Sequence, residues 1–127
     1  MASESRQFGD AGEEIAARYL MSLGHKLIER NYHKKYGEID IISTTGKRYI
    51  FTEVKTRDKQ SPNVFLPEDS VNYAKARKLR RICQIYLSEH NLFPEEGWQI
   101  DVIAVTIDKI EKSAKIRHIE NAIGDIR

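Results

Sequence analysis

The sequence predicts an α/β fold in which a mixed β-sheet is flanked by helices. Two stretches show the helical spacing of apolar residues, and between them lie three segments whose composition is typical of strands. Two further strand segments follow the second helix, which gives the order αβββαββ. With 127 residues the chain is long enough for one ordinary domain and too short for two. We therefore expect residues 1–127 to form a single domain.

A helix and three strands are predicted in the first half of the chain. Apolar residues recur at helical spacing from about Gly9 to Leu23, and Gly24 then ends the helix. Segments with strand composition follow at Lys26–Tyr32, Glu38–Ser43 and Arg48–Lys55. Because only the turn 45–47 separates the second strand from the third, these two should form an antiparallel hairpin.

A long helix and two more strands are predicted in the second half. The segment Asp58–Pro67 is polar, contains two prolines and predicts a loop. Helical spacing then extends over about Glu68–Glu89. The turn Phe93–Gly97 precedes an apolar strand at Gln99–Ile107, and a final strand is expected near Lys115–Ile119.

Composition argues against a membrane or secreted protein. No apolar run approaches the roughly 18 residues of a membrane span, and the N-terminal segment lacks the basic start and apolar stretch of a secretory signal. Cys83 is the only cysteine, so an internal disulfide and a cysteine-based zinc site are not expected. Its helical surroundings predict a buried, inert thiol. We expect a cytoplasmic protein without a membrane partner.

Charged residues interrupt two predicted strands where apolar side chains would be expected. Asp40 is flanked by isoleucines, and Glu53 and Lys55 are two residues apart, on one face of an extended strand. Because the two strands form a hairpin, Asp40 can lie near Glu53 across the ladder. Charges in strand interiors cost free energy unless they are paired or bind a cation.

Two neighbouring carboxylates favour a divalent cation. Their repulsion at about 4 Å, with an effective dielectric constant of about 20, costs on the order of 4 kcal/mol. Mg²⁺ or Mn²⁺ converts this repulsion into attraction, lowers the pKa of bound water and polarises a phosphorus–oxygen bond. Lys55 can stabilise charge on a phosphate or orient an attacking water. The structural alternatives are an exposed charged strand edge for Glu53 and Lys55, and a satisfied structural carboxylate for Asp40.

Several segments together form a recognisable pattern. They are Gly12-Glu13, Ala16–Leu20, Arg30-Asn31, Gly37–Asp40, Phe51–Arg57, Lys75, Asp101-Val102 and His118–Ala122. In these segments the sequence resembles the PD-(D/E)xK nuclease superfamily and, within it, the YraN-like family of predicted endonucleases, relatives of archaeal Holliday-junction resolvases. The resemblance implies a single nuclease-like domain of restriction-endonuclease-like fold, with Asp40 and Glu53 as metal ligands and Lys55 as the catalytic lysine. Since the resolvase relatives work as dimers, it is also compatible with a homodimer.

The first helix offers a further acidic ligand. Resolvase relatives place a glutamate on this helix near the metal, and the resemblance selects Glu13. At about 100° per residue, Glu13 borders the apolar stripe and can reach inward, whereas Glu14 lies nearly opposite and should face water. The alternative is that Glu13 only interacts with the positive end of the helix dipole.

Three residues near these acids are candidates for binding phosphate. Lys75 falls within the apolar stripe of the second helix, where its ammonium group can meet a phosphate or extend to solvent. Thr56 and Arg57 stand at the predicted end of the third strand, where they can hold phosphate or merely cap the strand.

Other groups are candidates for contact with nucleic acid. Arg77, Arg80 and Arg81 fall on the helix face opposite the apolar stripe, which is typical of a DNA track and equally of a solvated surface. In the segment 32–36, aromatic residues interleaved with lysines can stack on unpaired bases, or be ordinary surface aromatics in a turn.

The leading hypothesis is an endonuclease that hydrolyses phosphodiester bonds of DNA, such as branched or damaged DNA, with Mg²⁺ or Mn²⁺. Asp40 and Glu53 would bind the metal, Glu13 would complete or orient the site, and Lys55 would assist the attacking water. One alternative is a nucleic-acid-binding module of the same fold without turnover. Another is a component of a DNA-processing assembly whose site is silent until a partner arrives. Nicking of DNA by the isolated chain distinguishes the first hypothesis from the other two.

Overall fold

Two helices and five strands make up residues 4–61 and 72–123, the part of the chain that our computed structural model describes. In chain order they are α1 (Glu4–Ser22), β1 (Lys26–Lys34), β2 (Gly37–Thr45), β3 (Arg48–Asp58), α2 (Tyr73–Glu89), β4 (Trp98–Asp108) and β5 (Ser113–Ile119). The predicted order αβββαββ is therefore confirmed. Within the described residues, neither helix is long and apolar enough to span a bilayer.

The strands form one mixed sheet in the order β1-β2-β3-β4-β5. Strands β1 and β2, β2 and β3, and β4 and β5 pair antiparallel, whereas β3 and β4 pair in parallel. A parallel pair needs a long crossover connection, and the segment containing α2 provides it. The predicted hairpin of β2 and β3 is confirmed, with Thr45 opposite Arg48 and Ile41 opposite Thr52.

The helices cover opposite faces of the sheet, each over its own apolar core. The core under α1 contains Ala16, Ala17, Leu20, Ile41, Ile103 and Val105. The core under α2 includes Ile39, Ile42, Phe51, Ile82, Cys83 and Tyr86. This arrangement confirms the prediction of a mixed sheet flanked by helices. Because the central strands are covered on both faces, a charged side chain on them needs a compensating partner.

The second helix ends at the predicted residue, Glu89, but its start differs from the prediction. Asn72 is the N-cap: its backbone is extended, and its side chain accepts a 2.9 Å hydrogen bond from the backbone N–H of Lys75. Such a cap satisfies one of the free donors of the first helical turn and begins the helix at Tyr73. The predicted start at Glu68 and most of the predicted loop fall within residues 62–71, outside the described residues.

The third strand is longer than predicted. It was expected to end at Lys55, but it continues to Asp58 because Lys55 to Asp58 pair in parallel with Ala104 to Ile107 of β4. Thr56 and Arg57 therefore lie inside the strand, so their interpretation as a strand cap is wrong. Their side chains point to opposite faces, since successive residues of a strand alternate.

Gly12 marks a close approach of α1 to the sheet. A Cβ atom at this position would overlap the hydroxyl oxygen of Thr56 and lie 2.8 Å from the Thr56 Cβ. Real Cβ atoms do not approach that closely, so only glycine allows α1 to rest on β3 at this point. The contact positions the helical turn that carries Glu13.

The cysteine matches its prediction as a buried thiol. Cys83 is 1% exposed and lies in the core under α2. Burial raises the pKa of its thiol well above the ordinary value, which keeps it protonated and unreactive at neutral pH.

Candidate active site

Asp40 and Glu53 lie where the ladder between β2 and β3 ends. The last pair in register is Ile41 with Thr52, and Asp40 and Glu53 are the next residues on their strands. Beyond this pair, Oδ2 of Asp40 accepts a 2.7 Å hydrogen bond from the backbone N–H of Val54. The two acidic residues are thus brought together on neighbouring strands, as the hairpin pattern predicts.

The carboxyl group of Asp40 is in an environment that disfavours its charged form. Burial raises its pKa from the ordinary value of 3.8 to about 6, although the hydrogen bond from Val54 N–H lowers it. The negative charges of Glu13, Glu38 and Glu53 raise the pKa further. A cation beside Asp40 would reverse the effect of these charges.

The two carboxylate oxygens of Glu53 differ in their surroundings. Its Oε1 lies 2.8 Å from Nζ of Lys75 and 3.5 Å from Nζ of Lys55. Its Oε2 is buried and has no hydrogen-bond partner among the described residues. A buried carboxylate oxygen without a partner is rare because it has lost its hydration without compensation. The oxygen therefore fits a ligand for a hard divalent cation such as Mg²⁺ or Mn²⁺.

Lys55 and Lys75 approach the same carboxylate from two different elements. Burial and the nearby ammonium of Lys75 lower the pKa of Lys55, while Glu53 raises it. For Lys75 burial lowers the pKa, but Glu53, Lys55 and Asp40 together outweigh burial and the net shift is upward. The inward position of Lys75 agrees with its place in the apolar stripe of α2. Its partner in this structure is Glu53, and binding to phosphate stays a prediction.

The two glutamates of α1 differ as the helical geometry predicts. The side chain of Glu13 is 10% exposed and accepts a 3.3 Å hydrogen bond from Nε of Arg30, whereas that of Glu14 is 46% exposed and is bonded to Arg30 and Arg18. Burial raises the pKa of Glu13, although Arg30 and Asn31 lower it. Glu13 thus reaches inward and Glu14 faces the surface. Whether Glu13 serves as a metal ligand stays a prediction.

A cleft of about 480 Å³ lies beside these residues. It is lined by Arg6, Phe8, Gly9, Asp10, Glu13, Asn31, Glu38, Asp40, Val54, Lys55 and Thr56. The cleft therefore unites the predicted site residues Glu13, Asp40, Lys55 and Thr56. Among the described residues, Glu53, Lys75 and Arg57 do not line this cleft. Glu53 instead borders a small apolar gap with Leu79 and Cys83 under α2.

Asn31 belongs to the cleft, although no role was predicted for it. It lies in β1 with a φ of 55°, a left-handed conformation that asparagine adopts more readily than most residues. Its side chain is hydrogen-bonded to Glu13. The sequence signal was its place in the Arg30-Asn31 segment of the shared pattern, but only the fold brings that segment to α1.

A second polar cluster connects α1 with β4 and β5. Oδ2 of Asp101 lies 2.7 Å from Nε2 of His118, and Nδ1 of His118 lies 3.0 Å from the hydroxyl of Tyr19. Oδ1 of Asp101 accepts hydrogen bonds from the backbone N–H of Asn121 and from Gln99. Asp101 thus anchors the segment after β5.

The same cluster contains a grouping that could hold a cation. Asp101, His118 and Glu120 offer ligand atoms that lie within 4.8 Å of one another, a proximity that the spacing of histidines in the sequence does not reveal. Asp101 and His118 already direct their polar atoms at each other and at Tyr19. Because these polar atoms already have partners within the cluster, a structural role is favoured.

Asp101→Asn is expected to destabilise the protein by about 2 kcal/mol at pH 7, because it weakens a buried, charge-assisted hydrogen bond. Burial raises the pKa of Asp101, but the bonds from His118, Asn121 N–H and Gln99 outweigh it and lower the pKa below 3.8. A depressed pKa means that the stabilisation is complete above the unfolded-state pKa and is lost as the pH falls through the folded-state value.

Urea unfolding at pH 7 and at pH 3 measures this difference. The difference in free energy of unfolding between wild type and Asp101→Asn should be large at pH 7 and smaller at pH 3. Glu120→Gln, which changes an exposed residue, serves as the control. An equal gap at both pH values would contradict the assignment of the charged form to the folded state.

Comparison with known proteins identifies close relatives over nearly the full length. Residues 12–105 match the profile of the "Uncharacterised protein family UPF0102". A UPF0102 protein of Alkaliphilus metalliredigens is 42% identical over 118 residues, which cover 93% of this chain and 98% of the relative. A UPF0102 protein of Desulforamulus reducens is 38% identical over 124 residues, which cover 97% of this chain and 100% of the relative. The matched span of the profile contains Glu13, Asp40, Glu53, Lys55 and Lys75.

Proposed function

The chain belongs to the uncharacterised protein family UPF0102, the YraN-like family, and we propose that it is a metal-dependent endonuclease that hydrolyses DNA phosphodiester bonds. The proposal includes a restriction-endonuclease-like fold of the PD-(D/E)xK superfamily. The observation that carries it concerns Glu53, on the strand next to that of Asp40: its buried Oε2 has no hydrogen-bond partner in residues 4–61 and 72–123. Two lysines at the same carboxylate supply the positive charge that a phosphate requires.

The acidic groups are better suited to a cation than to a purely structural role. Asp40 has a pKa of about 6 because burial and neighbouring carboxylates disfavour its charge. A purely structural site would gain stability from an amide or an apolar residue at this position, since uncompensated buried charge is costly. A bound divalent cation would compensate the charge of these carboxylates.

Asp40, Glu53 and Glu13 would hold Mg²⁺ or Mn²⁺, because carboxylate oxygens are the preferred ligands of both ions. When bound, the ion would supply Lewis-acid polarisation of a phosphoryl oxygen and activation of water. Arg30 and Asn31 orient Glu13 through their hydrogen bonds. These contacts fix the direction of the Glu13 carboxylate before substrate arrives.

Lys55 and Lys75 would act on the phosphate. Lys55 lines the cleft, so its ammonium can stabilise the negative charge that develops on the phosphate and can orient the attacking water. Lys75 holds Oε1 of Glu53 from the first turn of α2. A substrate phosphate that enters beside Glu53 can share this ammonium group, which then neutralises both anions.

The test is incubation of the purified chain with Mn²⁺ or Mg²⁺ and three DNA substrates: supercoiled plasmid, single strands and four-way junctions. We expect metal-dependent nicking of at least one substrate, and loss of nicking in Glu53→Gln. Binding of Mn²⁺, measured by calorimetry, should weaken in the same variant. Nicking that persists in Glu53→Gln would indicate a contaminating nuclease, and wild-type protein that neither binds Mn²⁺ nor nicks DNA would refute the proposal.

Glu13→Gln is expected to reduce metal-dependent cleavage by about tenfold to a hundredfold, the usual effect of losing a group that ligates or orients a metal. Glu14→Gln should reduce it less than about twofold, because an exposed carboxylate contributes little. The two rates are measured side by side with Mn²⁺ held constant. Since both glutamates contact Arg30, Glu14→Gln also controls for disturbance of that arginine. Equal small reductions in both variants would show that Glu13 neither binds nor orients the metal.

One alternative rests on the charge of α2. Its residues 73–88 include five basic residues and no acidic one, which favours binding of a polyanion whether or not turnover occurs. A nucleic-acid-binding module, or a component of a larger DNA-processing assembly, would show salt-sensitive DNA binding without nicking by the isolated chain. A homodimer, which the resemblance suggests, is tested by light scattering on the purified protein.

A further inference from the structure

The outward face of α2 carries exposed aromatic rings paired with arginines. Tyr73 and Arg77 are one turn apart, with the Arg77 guanidinium carbon 5.9 Å from the Tyr73 ring centre. One turn further, the guanidinium carbon of Arg81 lies 5.7 Å from the ring centre of Tyr36, which precedes β2. Tyr36 is 59% exposed and Tyr73 is 65% exposed. We call these four residues the aromatic–arginine stripe.

Among the described residues, the basic groups on this face are not paired with acidic side chains. Within residues 4–61 and 72–123, Arg77 and Arg81 have no carboxylate within ion-pair distance. Lys78, on the same helix, has no such partner there either. Surface arginines are often paired with acids, so this face presents charge that is available to an anionic ligand. The exposed rings add flat apolar surfaces at the same place.

We propose that the aromatic–arginine stripe binds a DNA strand whose bases are unpaired, which makes single-stranded or branched DNA with an unpaired arm the substrate class. This inference rests on the proposed nuclease function. Guanidinium groups attract the phosphates, and tyrosine rings stack on base faces. In a duplex the base faces are already stacked on one another, so the rings would have nothing to bind. Charge alone would suit any nucleic acid, whereas its combination with open rings favours the unpaired strand.

The dimensions of the stripe suit a short stretch of such a strand. Tyr73 and Arg81 are eight residues apart on α2, which corresponds to a rise of about 12 Å. This length matches roughly three or four stacked nucleotides at about 3.4 Å each. Tyr36 extends the stripe beyond the helix to the turn that leads into β2.

Both ends of the stripe lie close in sequence to residues of the candidate active site. Tyr73 lies two residues before Lys75, whose ammonium is 2.8 Å from Oε1 of Glu53. Tyr36 directly precedes β2, the strand that carries Asp40. A strand held along α2 therefore lies on the helix that carries Lys75, and it ends at the turn before the strand that carries Asp40.

The experiment measures binding of a fluorescein-labelled oligo(dT) of about 15 nucleotides, and of a duplex of the same length, by fluorescence anisotropy. Metal is removed with EDTA so that no cleavage occurs. Tyr36→Leu and Tyr73→Leu should each weaken oligo(dT) binding about tenfold, the usual size of one base–ring stacking contact. Duplex binding should change by less than about twofold. Tyr36→Phe and Tyr73→Phe, which keep the ring, should bind as wild type does.

Phe93→Leu is the matched control, because Phe93 is 90% exposed and lies outside the stripe. Arg77→Gln and Arg81→Gln should each reduce the slope of log Kd against log salt concentration by about 0.7. Equal losses on oligo(dT) and duplex, no difference from Phe93→Leu, or wild-type protein that does not bind oligo(dT) would each overturn the inference. Absence of nicking with Mn²⁺ would refute the nuclease proposal and leave this binding result unchanged, so the two failures are distinguishable.

Discussion

Asp40→Asn is expected to lower metal-dependent DNA cleavage by about a thousandfold or more, the scale at which an essential metal ligand is lost. The same substitution should make the metal-free protein more stable. Both effects have one cause, since the half-buried Asp40 carboxylate is disfavoured when no cation is near it. Asparagine removes the charge and keeps an oxygen that can accept the hydrogen bond from Val54 N–H.

The size and sign of the stability change follow from the pKa of Asp40. The group has an ordinary value of 3.8 in the unfolded chain and about 6 in the folded protein. Well below pH 3.8 both states are protonated and the group has no effect. As the pH rises from 4 to 7, the unfolded chain loses its proton first, so the folded protein is destabilised by about 1–3 kcal/mol. Asp40→Asn should abolish this loss.

Unfolding in urea at pH 4 and pH 7, with EDTA present, measures the effect. The Asp40→Asn protein should exceed wild type in stability only slightly at pH 4 and much more at pH 7. Added Mn²⁺ should raise the melting temperature of wild type and leave that of Asp40→Asn unchanged, because only a protein that binds the ion gains stability from it. A variant that is less stable than wild type at pH 7 would show that Asp40 is a satisfied structural carboxylate.

Gly12→Ala should destabilise the protein by about 3 kcal/mol, because one added methyl group has no space between α1 and β3. Its Cβ would overlap the Thr56 hydroxyl and lie 2.8 Å from the Thr56 Cβ, which is bonded directly to the strand backbone and cannot rotate away. The helix must therefore shift from the sheet. Since Glu13 is the next residue, the shift should also remove Glu13 from the cleft and reduce cleavage in the fraction that stays folded.

Gly9→Ala is the matched control for this prediction. Gly9 lies on the same helix, and a Cβ there would meet no atom within 4 Å. Alanine in a helix is favoured over glycine by about 1 kcal/mol, so this variant should be slightly more stable than wild type. Chemical denaturation of both variants gives the comparison. The double variant Gly12→Ala with Thr56→Ala should recover part of the loss, and no difference between the two glycine variants would disprove the close contact.

The parts of the site that could be predicted from the sequence depend on local periodicity. The short turn between β2 and β3 brings Asp40 beside Glu53 without information from the rest of the chain. Likewise, the angular spacing of residues on one helix is enough to direct Glu13 inward and Glu14 outward. These conclusions needed only the element and its immediate neighbour.

Features that escaped prediction depend on contacts between distant segments. The third strand extends through Thr56 and Arg57 because β4 pairs with it in parallel, and strand composition alone does not reveal a parallel partner. The cluster of Asp101, His118 and Tyr19 joins α1 to two strands near the other end of the chain. The ion pair of Lys75 with Glu53 required the position of α2 over the sheet, which the helical pattern leaves open.

The parallel pairing of β3 with β4 has a consequence for the nascent chain. The hairpin of β2 and β3 can close within microseconds, whereas β4 reaches its place only after the segment containing α2 has been synthesised. Until then one edge of β3 has unpaired backbone N–H and C=O groups, which can pair with strands of other polypeptides. Charged side chains at positions 53, 55, 57 and 58 are expected to oppose such recruitment. Acidic and basic groups suited to hydrolysis would then also protect the protein from aggregation while it is being made.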